Sequence, residues 1–278
     1  MIALENIQFG YTRRKPLFED LSLKLEGGHI YGLLGKNGAG KTTLLKNMTG
    51  LRFVKSGQCT SFGQEAKRRL PSMLEKMYLL PEEVWLPDMK IGTYVRTFSP
   101  AWPRFDHAYF KTCLEAFEID PTARLKHMSF GQRKKTGIAF ALATKANILM
   151  LDEPTNGLDI PSKTMFRKLV SEALDEDCCI VLSTHQVRDL ETLIDTVIVL
   201  NNANIVFNQS IDATCEQLHF SLSGSLDKPD NVLYAEMTPR GYSVITENSQ
   251  GEESKVDLET LFNLCIQQPE TIHRLFNA

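Results

Sequence analysis

The sequence lacks an apolar run long enough for a membrane-spanning helix. Such a helix needs roughly 18–20 apolar residues, whereas apolar runs such as 138–144 and 148–151 are short, and these two are separated by Lys145 and Asn147. The N-terminal segment MIALENIQFG has neither a basic leader nor a long apolar stretch. We therefore expect neither a membrane span nor a secretory signal.

The chain also has little excess charge of either sign. Its 31 lysines and arginines and 34 aspartates and glutamates leave a formal charge of −3. This balance argues against a broad basic face, and we expect no nucleic-acid partner. Two basic clusters, at 13–15 and 133–135, are interpreted as solvated faces, with contact to phosphate or lipid headgroups as the alternative.

The six cysteines show no metal-like C-x-x-C spacing. Cys178 and Cys179 are adjacent in an apolar run, so we interpret them as small buried hydrophobic residues in a reducing cytosol. The sequence also has no internal repeat and no low-complexity tract. With 278 residues, 42% of them hydrophobic, it fits one large globular domain, or one such domain with a smaller appendage.

The first fifty residues predict an α/β unit built around a glycine-rich loop. Leucines alternate through 21–25, which is typical of a half-buried strand. The nearly all-apolar run 30–34 predicts a strand covered on both faces. The glycine-rich loop 35–40 follows, and the helical spacing of 41–49 predicts a helix that Gly50 ends.

Later segments predict a helical insertion and a C-terminal module. Aromatic residues and leucines recur at helical intervals from residue 85, and one further helix covers 129–143. The other predicted elements are buried strands at 148–151 and 179–183, a hairpin of 197–200 with 205–207, strands near 220–222, 232–237 and 242–246, and a last helix that Asp257 caps and Pro269 ends. We predict a domain at 1–207, with the insertion at about 85–143, and an accessory α+β module at 208–278.

The strongest motif matches G-x-x-x-x-G-K-[ST], the P-loop, between a predicted strand and a predicted helix. Its glycines let backbone N–H groups point at a phosphate, and the helix start adds a positive dipole end. The motif predicts that Lys41 reaches the β- and γ-phosphates and that Thr42 holds Mg²⁺. The predicted nucleotide-binding residues here are Gly35, Lys36, Asn37, Gly38, Ala39, Gly40, Lys41, Thr42 and Thr43.

Two carboxylates follow the predicted strand 148–151. Parallel strands deliver such residues to the carboxyl edge of a sheet, where ligands bind. Beside a P-loop, we expect Asp152 to hold Mg²⁺ and Glu153 to polarise the water that attacks the γ-phosphate. Solvated acids at an ordinary strand end are the alternative.

A third motif, Ser129-Phe130-Gly131-Gln132, opens a helix about twenty residues before Asp152. A serine hydroxyl, free N–H groups and a helix dipole make an anion site there. The motif resembles the signature of ATP-binding cassette (ABC) ATPases, usually Leu-Ser-Gly-Gly-Gln. Other marks of that family follow the same order, and they are Tyr11 for adenine stacking, the D-loop at 156–159 and the switch histidine His185.

The resemblance covers roughly residues 1–207 and implies the fold of an ABC nucleotide-binding domain. This is a P-loop NTPase with a RecA-like α/β core, an antiparallel β subdomain and a helical subdomain. It further implies ATP and Mg²⁺ as ligands and a head-to-tail dimer, in which each nucleotide lies between one P-loop and the partner's signature helix. Residues Ser129, Gly131, Gln132 and Asp159 would then contact nucleotide, with His185 sensing the γ-phosphate beside Glu153.

Two motifs depart from the family pattern, the signature and the Q-loop. Phe130 replaces the first signature glycine, and Met128 replaces the preceding leucine. Glu82 stands where the family's Q-loop usually has glutamine. Its carboxylate can approach Mg²⁺ through oxygen but lacks the N–H donors of an amide.

The resemblance implies the ATPase subunit of an ABC transporter, acting with a separate permease and a second cassette chain, identical or different. We expect it on the cytoplasmic face of the membrane, with the helical insertion and the Glu82 loop receiving a permease helix. The C-terminal module resembles those of single-cassette bacterial exporters, which favours export. The alternative is a non-transport ABC ATPase, for example in iron–sulfur assembly. The sequence has one cassette and no sustained heptads, which disfavours ribosome-acting and DNA-repair members.

Overall fold

The computed structural model describes residues 1–12, 15–224 and 231–276. Most of the 13–15 basic cluster, as well as 225–230 and 277–278 of the predicted C-terminal module, lie outside the described residues. The strands are β1 (Ile2–Phe9), β2 (Phe18–Leu25), β3 (His29–Leu34), β4 (Ser56–Ser61), β5 (Gln64–Glu65), β6 (Met77–Leu80), β7 (Ile148–Asp152), β8 (Cys179–Thr184), β9 (Thr196–Asn201), β10 (Asn204–Ser210), β11 (Leu218–Ser223), β12 (Val232–Thr238) and β13 (Gly241–Glu247).

Nine α-helices are found within these ranges. They are α1 (Lys41–Met48), α2 (Pro71–Leu74), α3 (Ile91–Phe98), α4 (His107–Ala116), α5 (Phe130–Ala143), α6 (Ile160–Ala173), α7 (Ile211–Gln217), α8 (Leu258–Gln267) and α9 (Pro269–Phe276). None of them is long and apolar enough to cross a membrane.

The largest sheet has the strand order β10-β9-β3-β8-β7-β6. Its inner pairs are parallel, and β10 joins β9 as an antiparallel edge hairpin. Strands β7 and β8 are buried along their whole length, as expected for a parallel sheet covered on both faces. The predicted α/β core, the strands at 148–151 and 179–183 and the hairpin are confirmed.

A second sheet is antiparallel, with the order β2-β1-β4-β5. The alternating Leu21, Leu23 and Leu25 of β2 face its buried side. They share one hydrophobic core with Leu44 and Leu45 of α1. This sheet therefore packs beside the glycine-rich loop.

The predicted helical insertion, at about 85–143, contains α3, α4 and α5. Phe140 of α5 lies at the centre of its aromatic core. The ring centroids of Tyr94, Trp102 and Phe105 lie 5.1, 5.8 and 5.0 Å from that of Phe140. Because α5 is buried along most of its length, it joins the insertion to the large sheet.

The C-terminal segment forms the sheet β11-β13-β12 with α7, α8 and α9. Asp257 caps α8 through the N–H groups of Glu259 and Thr260, and α8 ends before Pro269, as predicted. Strand β10 runs past the predicted boundary at 207 to Ser210. The division at 207 stays a prediction.

Candidate functional site

The P-loop connects the carboxyl end of β3 to the start of α1. Gly38 and Gly40 adopt φ values of +82° and +110°, a region that L side chains rarely occupy. A Cβ atom on Gly35 would approach the carbonyl oxygen of Leu200 to 2.8 Å. The motif's glycines are therefore required by backbone conformation and by close packing.

The P-loop forms one wall of a cleft of about 490 Å³. Tyr11 and the loop residues lie on one side, and side chains from three other segments complete it. The residues lining the cleft are Tyr11, Leu17, Lys36, Asn37, Gly38, Ala39, Gly40, Lys41, Thr42, Thr43, Glu82, Glu153 and His185. The structure thus brings together most of the residues predicted to bind nucleotide or act in catalysis.

Asp152 lies at the end of β7, beside the P-loop threonine. The Thr42 hydroxyl donates a 2.6 Å hydrogen bond to Oδ2 of Asp152. The Ser183 hydroxyl, from neighbouring β8, donates to Oδ1. Sequence reasoning missed Ser183, although a serine at the end of the adjacent parallel strand was a usable signal. A hydroxyl and a carboxylate are the hard oxygen donors that suit Mg²⁺.

Glu153 is buried, with 4% of its surface exposed. Its Oε1 atom lies 3.4 Å from Nζ of Lys41 and 2.9 Å from Nδ1 of His185. Its φ is +45°, and such a conformation in a non-glycine residue costs about 1–3 kcal/mol. Surrounding contacts must therefore hold the backbone of Glu153 in this conformation.

A chain of polar contacts runs along the cleft mouth. Asn156 donates from Nδ2 to Oε1 of Glu82 at 3.0 Å, and Gln186 donates from Nε2 to Oδ1 of Asn156 at 3.3 Å. The loop at Glu82, the segment after β7 and the segment at His185 are thereby linked. Sequence reasoning did not assign Asn156 or Gln186 these contacts.

The prediction that the 133–135 cluster is a solvated face is wrong for Lys134, which is buried. It was predicted on a solvated face, but only 1% of its surface is exposed. Its ammonium donates to the carbonyl oxygens of Glu82 at 2.7 Å and Asp152 at 3.4 Å. Burial lowers its pKa to about 8, against the opposing effect of the carboxylates of Glu82, Asp152 and Glu153. Its helical face was the available signal, because positions 134, 137, 138 and 141 align at helical spacing.

The signature segment lies outside the cleft. Ser129 caps α5 in a capping box with Gln132, whose backbone N–H donates to Oγ at 3.2 Å while its own Oε1 accepts from the Ser129 N–H. Asp159 caps α6 through the N–H of Ser162. These residues and Gly131 do not line the cleft formed by the P-loop.

Phe130 packs on the segment predicted as the D-loop. A Cβ atom on Gly157, whose φ is +78°, would approach the Phe130 ring to 2.4 Å. Phe130 is nevertheless 47% exposed. The substituted signature residue therefore covers the glycine of the next loop and presents its remaining surface to solvent.

Tyr11 lies at the cleft entrance with 62% of its surface exposed. Its hydroxyl lies 2.8 Å from Oγ1 of Thr43, and the Phe9 ring meets it edge-on. These contacts hold the ring beside the P-loop helix while one part of it stays open.

The parallel sheet, the P-loop at its carboxyl edge and the adjoining acids define the class of protein, a P-loop ATPase of α/β fold. A family profile described as "ABC transporter" matches residues 18–156, half of the chain. The chain belongs to this family. It is an ATP-binding, ATP-hydrolysing cassette of an ABC transporter.

Individual relatives agree with this assignment. The chain is 26% identical to the ABC transporter ATP-binding protein YtrB of Bacillus subtilis, over 100% of this chain and 97% of that protein. It is 28% identical to the lantibiotic transport ATP-binding protein SrtF of Streptococcus pyogenes, over 77% and 93%. A dimeric structure of the cassette MJ0796 bound to ADP and Pi superposes with a TM-score of 0.67 at 19% identity, over 76% and 98%. That last likeness establishes the fold.

Proposed function

We propose that the cleft at the P-loop binds ATP with Mg²⁺ and hydrolyses it. The backbone N–H groups of 36–43 and the ammonium of Lys41 hold the phosphates. Thr42 and Asp152 would hold Mg²⁺, and the carboxylate of Glu82 would supply a further oxygen ligand. Bound Mg²⁺ neutralises charge on the phosphate oxygens. Tyr11 stacks on the adenine.

Glu153 acts as general base in this proposal. The lytic water attacks the γ-phosphorus, Glu153 takes its proton, and ADP leaves. His185 holds Glu153 through Nδ1 and contacts the γ-phosphate. The observation that carries the proposal is the convergence of Lys41 and His185 on the buried carboxylate of Glu153, beside the P-loop.

The signature residues act on the nucleotide of a second chain. Ser129, Gly131, Gln132 and Asp159 lie away from their own cleft, so they reach a phosphate only across a head-to-tail dimer. The two-fold arrangement supplies each cleft with the partner's helix N-terminus. ATP binding closes this dimer, and hydrolysis with product release reopens it.

The closing and reopening of this dimer is transmitted to a separate permease at the cytoplasmic face of the membrane. An apolar groove between α3 and α4, lined by Ile91, Val95, Phe110 and Leu114, suits the apolar face of a permease helix. The exposed Trp85 follows the Glu82 loop and offers a further apolar surface for a partner. We propose export as the direction, on the resemblance to exporter cassettes and the transport role in the name of SrtF.

The test is co-purification from the native cell. Tagged Glu153→Gln chain is expressed, membranes are solubilised in mild detergent with ATP and Mg²⁺, and bound proteins are identified. The exposed-acid variant Glu176→Gln is the matched control for the carboxylate change. We expect a polytopic membrane protein in near-stoichiometric amount. Soluble partners alone, with the chain absent from membranes, contradict the transporter role and favour a non-transport ABC ATPase.

A further inference from the structure

Lys134 of α5 connects two other segments of the ATPase site through its ammonium group, the Glu82 loop and the end of β7. It belongs to the second turn of α5, the helix that Ser129 caps. Its Nζ donates to the carbonyl oxygen of Glu82, 2.7 Å away, and to that of Asp152, 3.4 Å away. Helical spacing places it on the same buried face as Gly137 and Ile138.

The contact of Lys134 with the carbonyl oxygen of Asp152 acts on the peptide group that joins Asp152 to Glu153. The carbonyl of Asp152 and the N–H of Glu153 belong to the same planar peptide unit. Lys134 binds its oxygen, and Ser183 accepts its N–H, at 3.0 Å through the backbone oxygen and at 3.3 Å through Oγ. The peptide is therefore held from both ends.

Holding this peptide matters because Glu153 is strained. At φ +45°, Glu153 occupies a conformation that persists only when its surroundings over-determine it. A rotation that relaxed φ of Glu153 towards negative values would redirect its side chain away from His185. A hydrogen bond from a buried charged donor opposes that rotation more strongly than one from a neutral donor.

The first contact ties the same ammonium to the Glu82 loop. Lys134 binds the backbone of Glu82, while the Glu82 side chain accepts from Asn156. The carboxylates that raise the pKa of Lys134, those of Glu82, Asp152 and Glu153, belong to the two segments that its ammonium binds. A displacement of α5 therefore reaches both the Glu82 loop and the 152–153 peptide through one side chain.

We propose that Lys134 is a positioning residue for ATP hydrolysis. It fixes the 152–153 peptide and couples the orientation of Glu153 to the position of the signature helix. It does not line the nucleotide cleft, so it acts on turnover through the residues it holds. The inference rests on the proposed roles of Asp152 and Glu153.

The test compares Lys134→Met and Lys134→Gln in the full chain, with Lys168→Met, an exposed lysine on α6, as the matched control. Steady-state kcat, ATP Kd from fluorescent-nucleotide titration and Tm are measured for each. Loss of a residue that orients a primary ligand typically costs about 10–100-fold in activity. We expect that fall in kcat for Lys134→Met, with ATP Kd changed less than about 3-fold.

Partial rescue separates positioning from packing. Methionine fills the same space without donors, whereas the glutamine amide still donates N–H groups. We therefore expect kcat of Lys134→Gln to lie between methionine variant and wild type. If Lys134→Met does not fold, Lys134→Gln alone tests the inference. A lowered kcat at an unchanged ATP Kd then supports the positioning role.

Three results overturn the inference. They are an unchanged kcat in a folded Lys134→Met, a Kd that rises in parallel with the loss of kcat, and loss of the fold in both variants. Glu153→Gln is assayed alongside. If it keeps wild-type turnover, the proposed function fails, whereas an inactive Glu153→Gln beside a fully active Lys134→Met defeats this inference alone.

Discussion

Nζ of Lys41 lies 3.4 Å from Oε1 of Glu153, and both side chains are buried. Lys41, the P-loop lysine that is proposed to bind phosphate, is thus paired with Glu153, the proposed general base. A γ-phosphate entering the cleft offers Lys41 a second anionic partner. We infer that nucleotide binding weakens this ion pair and leaves Glu153 with His185, ready to accept a proton.

Removing the lysine tests the phosphate-binding half of this relationship. A charge-assisted hydrogen bond contributes about 1.5–3 kcal/mol, so Lys41→Ala is expected to raise the ATP Kd by roughly 10- to 100-fold. Lys46→Ala, on the same helix but not among the residues that line the cleft, is the control. Unchanged ATP affinity in Lys41→Ala, measured by isothermal titration calorimetry, would count against the P-loop assignment.

His185 holds Glu153 through its ring nitrogen at 2.9 Å. Loss of a group that supports general-base catalysis costs about 10²-fold or more in rate, and we expect this for kcat of His185→Ala. The ATP Kd should change little, because Lys41 and the loop N–H groups remain. His273→Ala, exposed on α9, serves as the control in a phosphate-release assay. Wild-type kcat in His185→Ala rejects its role in hydrolysis.

Ser183 orients Asp152 and accepts the N–H of Glu153. Without its hydroxyl, Asp152 loses the partner that fixes Oδ1. We therefore expect Ser183→Ala to raise the Mg²⁺ concentration that gives half-maximal ATPase by about 10–100-fold. The control Ser171→Ala changes an exposed serine. A Mg²⁺ titration that matches wild type would show that Asp152 does not depend on Ser183.

The cysteines supply a prediction about reactivity. All six are free, and five of them are buried. Burial raises the pKa of Cys59, Cys178 and Cys179 to about 12, and the thiol rather than the reactive thiolate then dominates at neutral pH. Iodoacetamide should modify Cys215, the partly exposed one, before all others, with six adducts after denaturation. Rapid modification of Cys178 or Cys179 in the native protein contradicts the structure.

Local patterns predicted the β3–P-loop–α1 unit well, because glycine spacing, a buried strand and a helix start agree over one short stretch. The same holds for Asp257 as the cap of α8. Both depend on neighbours within a few residues, and such information is present in the linear sequence.

Contacts between distant segments escaped prediction. Ser183 reaches Asp152 only because β7 and β8 pair in parallel, and serine is common at strand ends. Lys134 was misread because two charged neighbours give its segment the composition of a solvated face. The positive φ of Glu153 could not be predicted from the sequence, because tertiary contacts impose it at a residue that is not glycine.

The packing of the C-terminal segment against the rest of the protein could not be predicted from the sequence either. The Phe276 ring of α9 meets Phe207 of β10 edge-on at 5.1 Å, and Arg188 binds Glu259 of α8 at 2.5 Å. Arg188 follows His185 by three residues, so the accessory segment contacts the segment that carries His185. Its composition predicted separate elements and said nothing about this contact.

The most direct test of the account is the behaviour of Glu153→Gln with nucleotide. Turnover and mass are measured together, by phosphate release and by sedimentation velocity with ATP–Mg²⁺ or ADP–Mg²⁺. The account predicts no turnover and a shift from the 31.4 kDa monomer to a dimer that retains two ATP molecules, in ATP only. Wild-type turnover, or a monomer in both nucleotides with no ATP retained, would contradict it.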